Sequence, residues 1–138
     1  MQIAVVDGQG GGIGKAIIEK LRAELGDEIT IVALGTNALA TSLMLKAGAN
    51  EGATGENAIV FTVPKVDIII GSVAIIAASS MLGELSPFMA RAISESPAKK
   101  ILIPLNRCNI YVMGVTNEPL PHHVGHAVNF VKNIIRGE

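Results

Sequence analysis

The 138-residue chain has no tryptophan, one tyrosine and three phenylalanines, too few rings for a base-stacking surface. Charge is also scarce: 17% of residues are charged and the formal net charge is −1, so no basic footprint for nucleic acid is present. The single cysteine excludes an intramolecular disulfide framework and fits a reducing interior. The longest apolar stretch, Ile68 to Leu82, is interrupted by Gly71 and three serines and falls short of the ~18 residues a membrane span requires. No basic leader stands before the first apolar segment. The expected protein is cytoplasmic, with no nucleic-acid or membrane partner.

What the chain does have is aliphatic residues and glycine: 49% of residues are hydrophobic and 15 are glycine. This length fits one domain, residues 1–138, with a substantial core. Gln2 to Asp7 reads as a strand with a continuous apolar run, as in a parallel sheet covered on both faces. It runs into Gly8-Gln9-Gly10-Gly11-Gly12-Ile13-Gly14, and Lys15 onward follows a helical period through Ile17, Leu21 and Leu25. Glycine permits close approach to the backbone, and the helix start offers unpaired N–H groups at the positive end of the dipole. Together they predict a phosphate-type anion site.

Further along, Glu28 to Leu34 is a second strand, and Gly35-Thr36-Asn37 turns into a helix over Ala38 to Ala47. That helix carries one charge, Lys46, which predicts burial on two sides, the second against another subunit. Asn50 to Asn57 has two readings. One is a long loop before a strand at Ala58 to Phe61; the other is a short strand at Glu51 to Ala53, with Thr54 capping a helix over Gly55 to Val63. The second keeps the β-α-β alternation of a parallel sheet and brings Thr54 to Asn57 to the glycine-loop end. Strands follow at Val66 to Ile70 and Lys100 to Ile103, with a helix from Ser86-Pro87 between them. Only Pro104 to Cys108 separates the latter strand from Asn109 to Val115, too short for a parallel crossover, so an antiparallel edge strand is expected. A helix from Pro121 ends the series. The expected architecture is a Rossmann-like three-layer α-β-α sandwich, mostly parallel.

In such folds ligands sit beyond the C-terminal ends of the strands. There the expectation gathers Asp7, Gly8, Gln9, Gly10, Gly11, Gly12, Ile13 and Gly14 from the glycine loop. Thr36 and Asn37 join from the next turn, Gly71 and Ser72 from the third, and Asn106 and Arg107 from the fourth. Arg107 is the side chain suited to clamp a phosphate. Thr36 and Asn37 serve equally as ribose or phosphate donors and as helix caps. Ser79, Ser80 and Glu84 lie in a loop that could close over a ligand, though no base pairs with either serine. Glu51, Glu56 and Asn57 are of the type that hard cations accept but read more simply as polar turn residues. Cys108 reads as buried and inert, and His122, His123 and His126 as solvent-facing. No metal site is expected.

Spaced as Gly8, Gly12 and Gly14, the loop resembles the glycine motif of short-chain dehydrogenases, with Asp7 where that family usually has threonine. The general dinucleotide fingerprint would put its third glycine at Ile13. Gly10 to Lys15 also resembles the phosphate loop of deviant-Walker ATPases, but Ala16 replaces the hydroxyl residue that holds magnesium. The dehydrogenase Tyr-x-x-x-Lys is absent, since Val115 follows Tyr111 by four, and no ribose-binding acid follows the second strand.

The chain also resembles, end to end, an uncharacterised family found mostly in anaerobic Gram-positive bacteria. The stretches that carry this are Asp7 to Lys15, Ala33 to Thr41, Ala47 to Ile59, Val66 to Gly71 and Lys99 to Ile110. The resemblance implies a self-contained domain and no particular chemistry. The expected function is binding of a phosphate-containing small molecule, NAD(P) or another nucleotide, by a homodimer or higher homo-oligomer. Alternatives are a non-catalytic homo-oligomeric protein and a small phosphate-processing hydrolase using Asp7, Glu56 and Arg107.

Overall fold

The computed structural model describes residues 1–105 and 109–137. Its five strands are β1 (Gln2–Asp7), β2 (Thr30–Gly35), β3 (Glu51–Thr54), β4 (Ile68–Ser72) and β5 (Lys99–Ile103). They stand in the order β3-β2-β1-β4-β5, and every pairing is parallel. The helices are α1 (Gly12–Leu25), α2 (Ala38–Ala47), α3 (Glu56–Thr62), α4 (Pro87–Glu95) and α5 (Leu120–Arg136).

Alternation along the strands divides the core in two. Ile3 and Val5 of β1 face a cluster completed by Ile17 and Leu21 of α1, Met44 of α2 and Val128 of α5. Ala4 and Val6 face the opposite cluster, with Ile59 of α3 and Met89 and Ile93 of α4. Both faces of β1 are buried, which is why its sequence is apolar without interruption. The result is a Rossmann-like sheet between two helical layers.

Local chemistry explains most boundaries. Asn37 caps α2, its side chain accepting the Ala40 N–H at 2.9 Å. Ser86 caps α4 ahead of Pro87 at the first helical position. The strand-then-helix reading of residues 50–57 matches β3 and α3, but the cap is Gly55 at φ 100° rather than Thr54, whose hydroxyl donates to Thr41 Oγ1.

The antiparallel edge strand at Asn109 to Val115 is not formed. Asn109 and Gly114 take left-handed φ values of 55° and 83°, which break an extended run. The large side chains of Tyr111 and Met113 lie exposed. The alternating apolar pattern there reflects surface side chains on an irregular segment, and β5 remains the edge of the sheet.

α2 turns Ala40, Thr41 and Met44 inward and leaves Leu39 66% exposed. At the N-terminal end of the sheet, the Arg22 guanidinium joins two turns, the one between α1 and β2 and the one between α2 and β3. Nε donates to the Gly48 carbonyl at 2.8 Å, Nη1 to those of Gly26 and Ile29, and Nη2 to Asn50 Oδ1, which also accepts the Ile31 N–H. No helix among the described residues is long and apolar enough to cross a membrane.

Candidate functional site

From β1 the chain winds outward through β2 to β3, then returns to the other side of β1 for β4 and β5. The reversal lies between β1 and β4, and connections leaving these two strands on opposite faces open a crevice beyond their C-terminal ends. A cavity of about 750 Å³ occupies this crevice, within the size range of small-molecule sites. The loop from Gly8 to Ile13 forms one wall, and Ser72 at the end of β4 with Ala74 just after it form the floor. A strap at Ser79–Leu82 and Leu120 at the start of α5 complete it.

The five glycines of the loop divide by physical role. A Cβ on Gly8 would stand 2.4 Å from Thr36 Oγ1, and one on Gly14 would stand 2.5 Å from Met44 Sδ. Gly11 has φ 76°, and a Cβ there would stand 2.9 Å from the Ala40 backbone. The protein's own packing therefore accounts for glycine at these three positions, most strictly at Gly11. Gly10 and Gly12 differ: a Cβ on either would meet nothing within 4 Å, and neither has a left-handed φ. Both line the cavity.

Asp7 ends β1 at 5% exposure and lies under this loop. Its Oδ1 accepts the Gly8 N–H at 2.8 Å, and its Oδ2 accepts the Gly14 N–H at 2.7 Å. Gly11, at the helix cap, has no side chain for this task, so the Asp7 carboxylate satisfies one of the first-turn donors of α1 from a distance. The N–H groups of Gly12 and Ile13 make no hydrogen bond among the described residues. The α1 terminus thus keeps two donors at the cavity wall, with a buried carboxylate engaged behind them.

On the β2 side the donors are already taken. Glu84 Oε1 accepts the Gln9 N–H at 2.8 Å, the Thr36 hydroxyl at 2.7 Å and the Asn37 amide Nδ2 at 2.8 Å. These bonds hold the Glu84 carboxyl below the usual carboxylate range. The Gln9 N–H has the largest effect and the Thr36 hydroxyl follows; partial desolvation opposes them and Asn37 adds to them. Asn37 Nδ2 also donates to the Gln9 carbonyl at 3.0 Å. Thr36 and Asn37, expected at the ligand, instead bind this glutamate, and neither lines the cavity.

The strap continues past the cavity lining to Glu84 and Leu85, and it is anchored from within. Ser80 Oγ donates to the Ala74 carbonyl at 2.6 Å, Ser80 and Leu85 form an isolated bridge, and Leu85 is fully buried. Between the anchors, Ser79, Met81 and Leu82 take φ values of 64°, 58° and 56°, a conformation costly for residues with side chains. Leu82 is 97% exposed at the cavity's edge. On the floor, Ser72 is 3% exposed. Its Oγ accepts the Ala74 N–H at 3.3 Å, and its hydroxyl donates to no described group.

Other expected positions lie elsewhere. Gly71 serves packing, since a Cβ there would stand 2.8 Å from the Val6 carbonyl oxygen, and it does not line the cavity. Asn106 and Arg107, and Cys108 beside them, lie outside the described residues. Glu56 accepts a hydrogen bond from the Ser86 hydroxyl, away from the cavity. His122 is exposed, whereas His123 is buried, contrary to the solvent-facing expectation. Glu118 stands 3.3 Å from His126 and 3.9 Å from His123 in a separate depression. Among the described residues, no group of three or more His, Cys, Asp or Glu is placed to hold a metal ion.

The chain belongs to the family described as Domain of unknown function (DUF3842), whose model matches residues 2–136, in agreement with the family resemblance of the sequence. No curated protein matches it. Among solved structures it is similar to a dodecameric FMN-dependent UbiX-like decarboxylase from Escherichia coli O157:H7. The identity is 14% and the TM-score 0.45, with 96% of this chain and 76% of that one covered.

Proposed function

We propose that the protein binds a small phosphate-bearing ligand of the mononucleotide type in the crevice between β1 and β4. The observation that carries this reading is the pair Gly10 and Gly12. Glycine costs backbone entropy wherever it is not needed, and neither position needs it for packing or dihedral angle. A bare backbone facing a cavity is what a ligand in close contact requires.

The free N–H groups of Gly12 and Ile13 would receive phosphate oxygens, strengthened by the α1 dipole. The Ser72 hydroxyl faces the same space as a further donor. Of the nucleotides expected, the mononucleotide class is favoured over NAD(P), because the cavity lies on the β4 side of the loop. No catalytic residue is assigned. Asp7 is engaged by two N–H groups and Glu56 lies away from the cavity, so the hydrolase alternative has less support.

Calorimetric titration of the purified chain with FMN, AMP, GMP, NAD(H), NADP(H), ATP and GTP tests the reading. A single-site isotherm with at least one single-phosphate ligand is expected; silence across the panel at millimolar concentration overturns it.

Leu39 of α2, an aliphatic side chain 66% exposed, favours a homodimer or higher homo-oligomer as the working form. Light scattering at micromolar concentration reads this directly, and a monomer would refute it.

A further inference from the structure

Resting on the proposed single-phosphate site, we infer that Glu84 is its specificity-determining residue. It fills the β2 side of the crevice with the protein's own carboxylate, so the site accepts ligands with one phosphate and rejects dinucleotides.

In dinucleotide-binding sheets of this topology, the pyrophosphate lies along the glycine loop and its ribose reaches an acidic residue after β2. Here the corresponding turn carries Thr36 and Asn37, and both donate to Glu84 Oε1 together with the Gln9 N–H. Three donors converging on one oxygen form an anion hole, and a carboxylate from 75 residues away along the chain occupies it. The space directly over Gly8 is closed as well. A Cβ there would meet Thr36 Oγ1, Met81 Sδ at 2.7 Å and Glu84 Oε1 at 3.1 Å.

A second phosphate extending toward β2 would therefore meet a steric wall and a like charge. To enter, it must displace an intramolecular carboxylate, which competes at the high effective concentration of a tethered group. The opposite side of the loop, at Gly10, Gly12 and Ile13, is open to the cavity. The site's two sides are thus chemically unequal: one is an anion hole filled by Glu84, and the other presents the Gly12 and Ile13 N–H groups to the cavity. The strained φ values at Met81 and Leu82 fit a segment held in position by its ends, Glu84 among them.

Matched probe pairs test the inference: FMN against FAD and AMP against NAD⁺, each pair differing by a second phosphate and its nucleoside. Calorimetry on the full chain is expected to show the single-phosphate member bound at least tenfold tighter. Glu84→Ala should narrow that preference at least tenfold, with dinucleotide affinity rising relative to that of the single-phosphate member of each pair. Hydrogen exchange should show the Gln9 amide and residues 79–84 faster in Glu84→Ala and β1 unchanged. If Glu84→Ala does not fold, Thr36→Val, which removes one donor, should move the same ratio at least threefold.

A wild-type chain that binds both members equally, or a folded Glu84→Ala chain with an unmoved ratio, overturns the inference while leaving the single-phosphate site standing. Absence of binding by all four probes overturns the site itself, and the inference with it.

Discussion

The Gln9 N–H donates to Glu84 Oε1 at 2.8 Å, joining the glycine loop to a strap 75 residues further along the chain. With the Thr36 and Asn37 bonds to the same oxygen, this contact determines which face of the loop a ligand can reach. It also makes the strap sensitive to pH. The folded-state pKa of Glu84 is lowered, chiefly by the Gln9 N–H and then the Thr36 hydroxyl, so the unfolded or released carboxyl binds protons more readily than the docked one. Its stabilisation is therefore fully present above the ordinary glutamate range and is lost as pH falls through the depressed folded value. Amide exchange of residues 79–84, corrected for intrinsic rates, should be flat from pH 7 to 5 and accelerate below the glutamate range. Exchange that loosens instead on raising the pH would contradict the assignment.

Gly11 is held by backbone geometry on two counts, its φ of 76° and the Ala40 backbone 2.9 Å from a would-be Cβ. Gly11→Ala should cost about 2–3 kcal/mol, readable as a lowered urea midpoint with an unchanged slope. A neutral Gly11→Ala would mean that α1 and α2 can separate freely.

Asp7→Ala should destabilise by at least about 2 kcal/mol, because it leaves the buried N–H groups of Gly8 and Gly14 without their acceptor. Asp7→Asn, with one acceptor oxygen instead of two, should fall between. A wild-type phosphoesterase activity that Asp7→Asn abolishes without loss of stability would revive the hydrolase reading.

Arg22 acts at the opposite end of the sheet, with no route to the cavity. Arg22→Ala should cost about 2–3 kcal/mol, and Arg22→Lys should recover little of it, since a point charge cannot serve the Gly48, Gly26 and Ile29 carbonyls together. Ligand affinity should stay within twofold in both. Thermal melts and titrations on the same samples separate the two effects.

Much of the fold is legible locally. The β1-loop-α1 unit is marked by an apolar run, glycines and a helical period within 25 residues, and α2 spans Ala38–Ala47 as its Asn37 cap and Gly48 stop indicate. β3 and α3 follow from alternation, although Gly55 rather than Thr54 holds the cap. The missing antiparallel edge shows the limit of loop-length arguments: a short connection excludes a parallel crossover but does not require a strand, and left-handed φ at Asn109 and Gly114 ended this one. β4 runs to Ser72, two residues past its expected end at Ile70, which places that serine on the cavity floor.

The cavity beside the glycine loop is legible in the sequence, whereas the packing partners of the loop are not. That the glycines face a cavity follows from strand-loop-helix chemistry. Which glycines serve packing does not, because Gly8, Gly11 and Gly14 meet Thr36, Ala40 and Met44, residues brought close only by tertiary structure. Thr36 and Asn37 have the right chemistry for an anion, and they do bind one, but it is Glu84. Pairing across such a separation leaves no periodic or spacing signal. The strap serines were visible as loop residues, whereas the buried anchor of Ser80 on Ala74 was not.

Gly12→Ala, with binding and stability measured on the same samples, decides whether Gly10 and Gly12 are glycine for a ligand's sake. A Cβ at this position meets no protein atom within 4 Å, and it sits at the first helical position, so alanine should leave stability unchanged or raise it by up to about 1 kcal/mol. Affinity for the best single-phosphate ligand should nevertheless fall at least tenfold. A Gly12→Ala chain that is as stable as the wild type and binds that ligand equally well would contradict that reading.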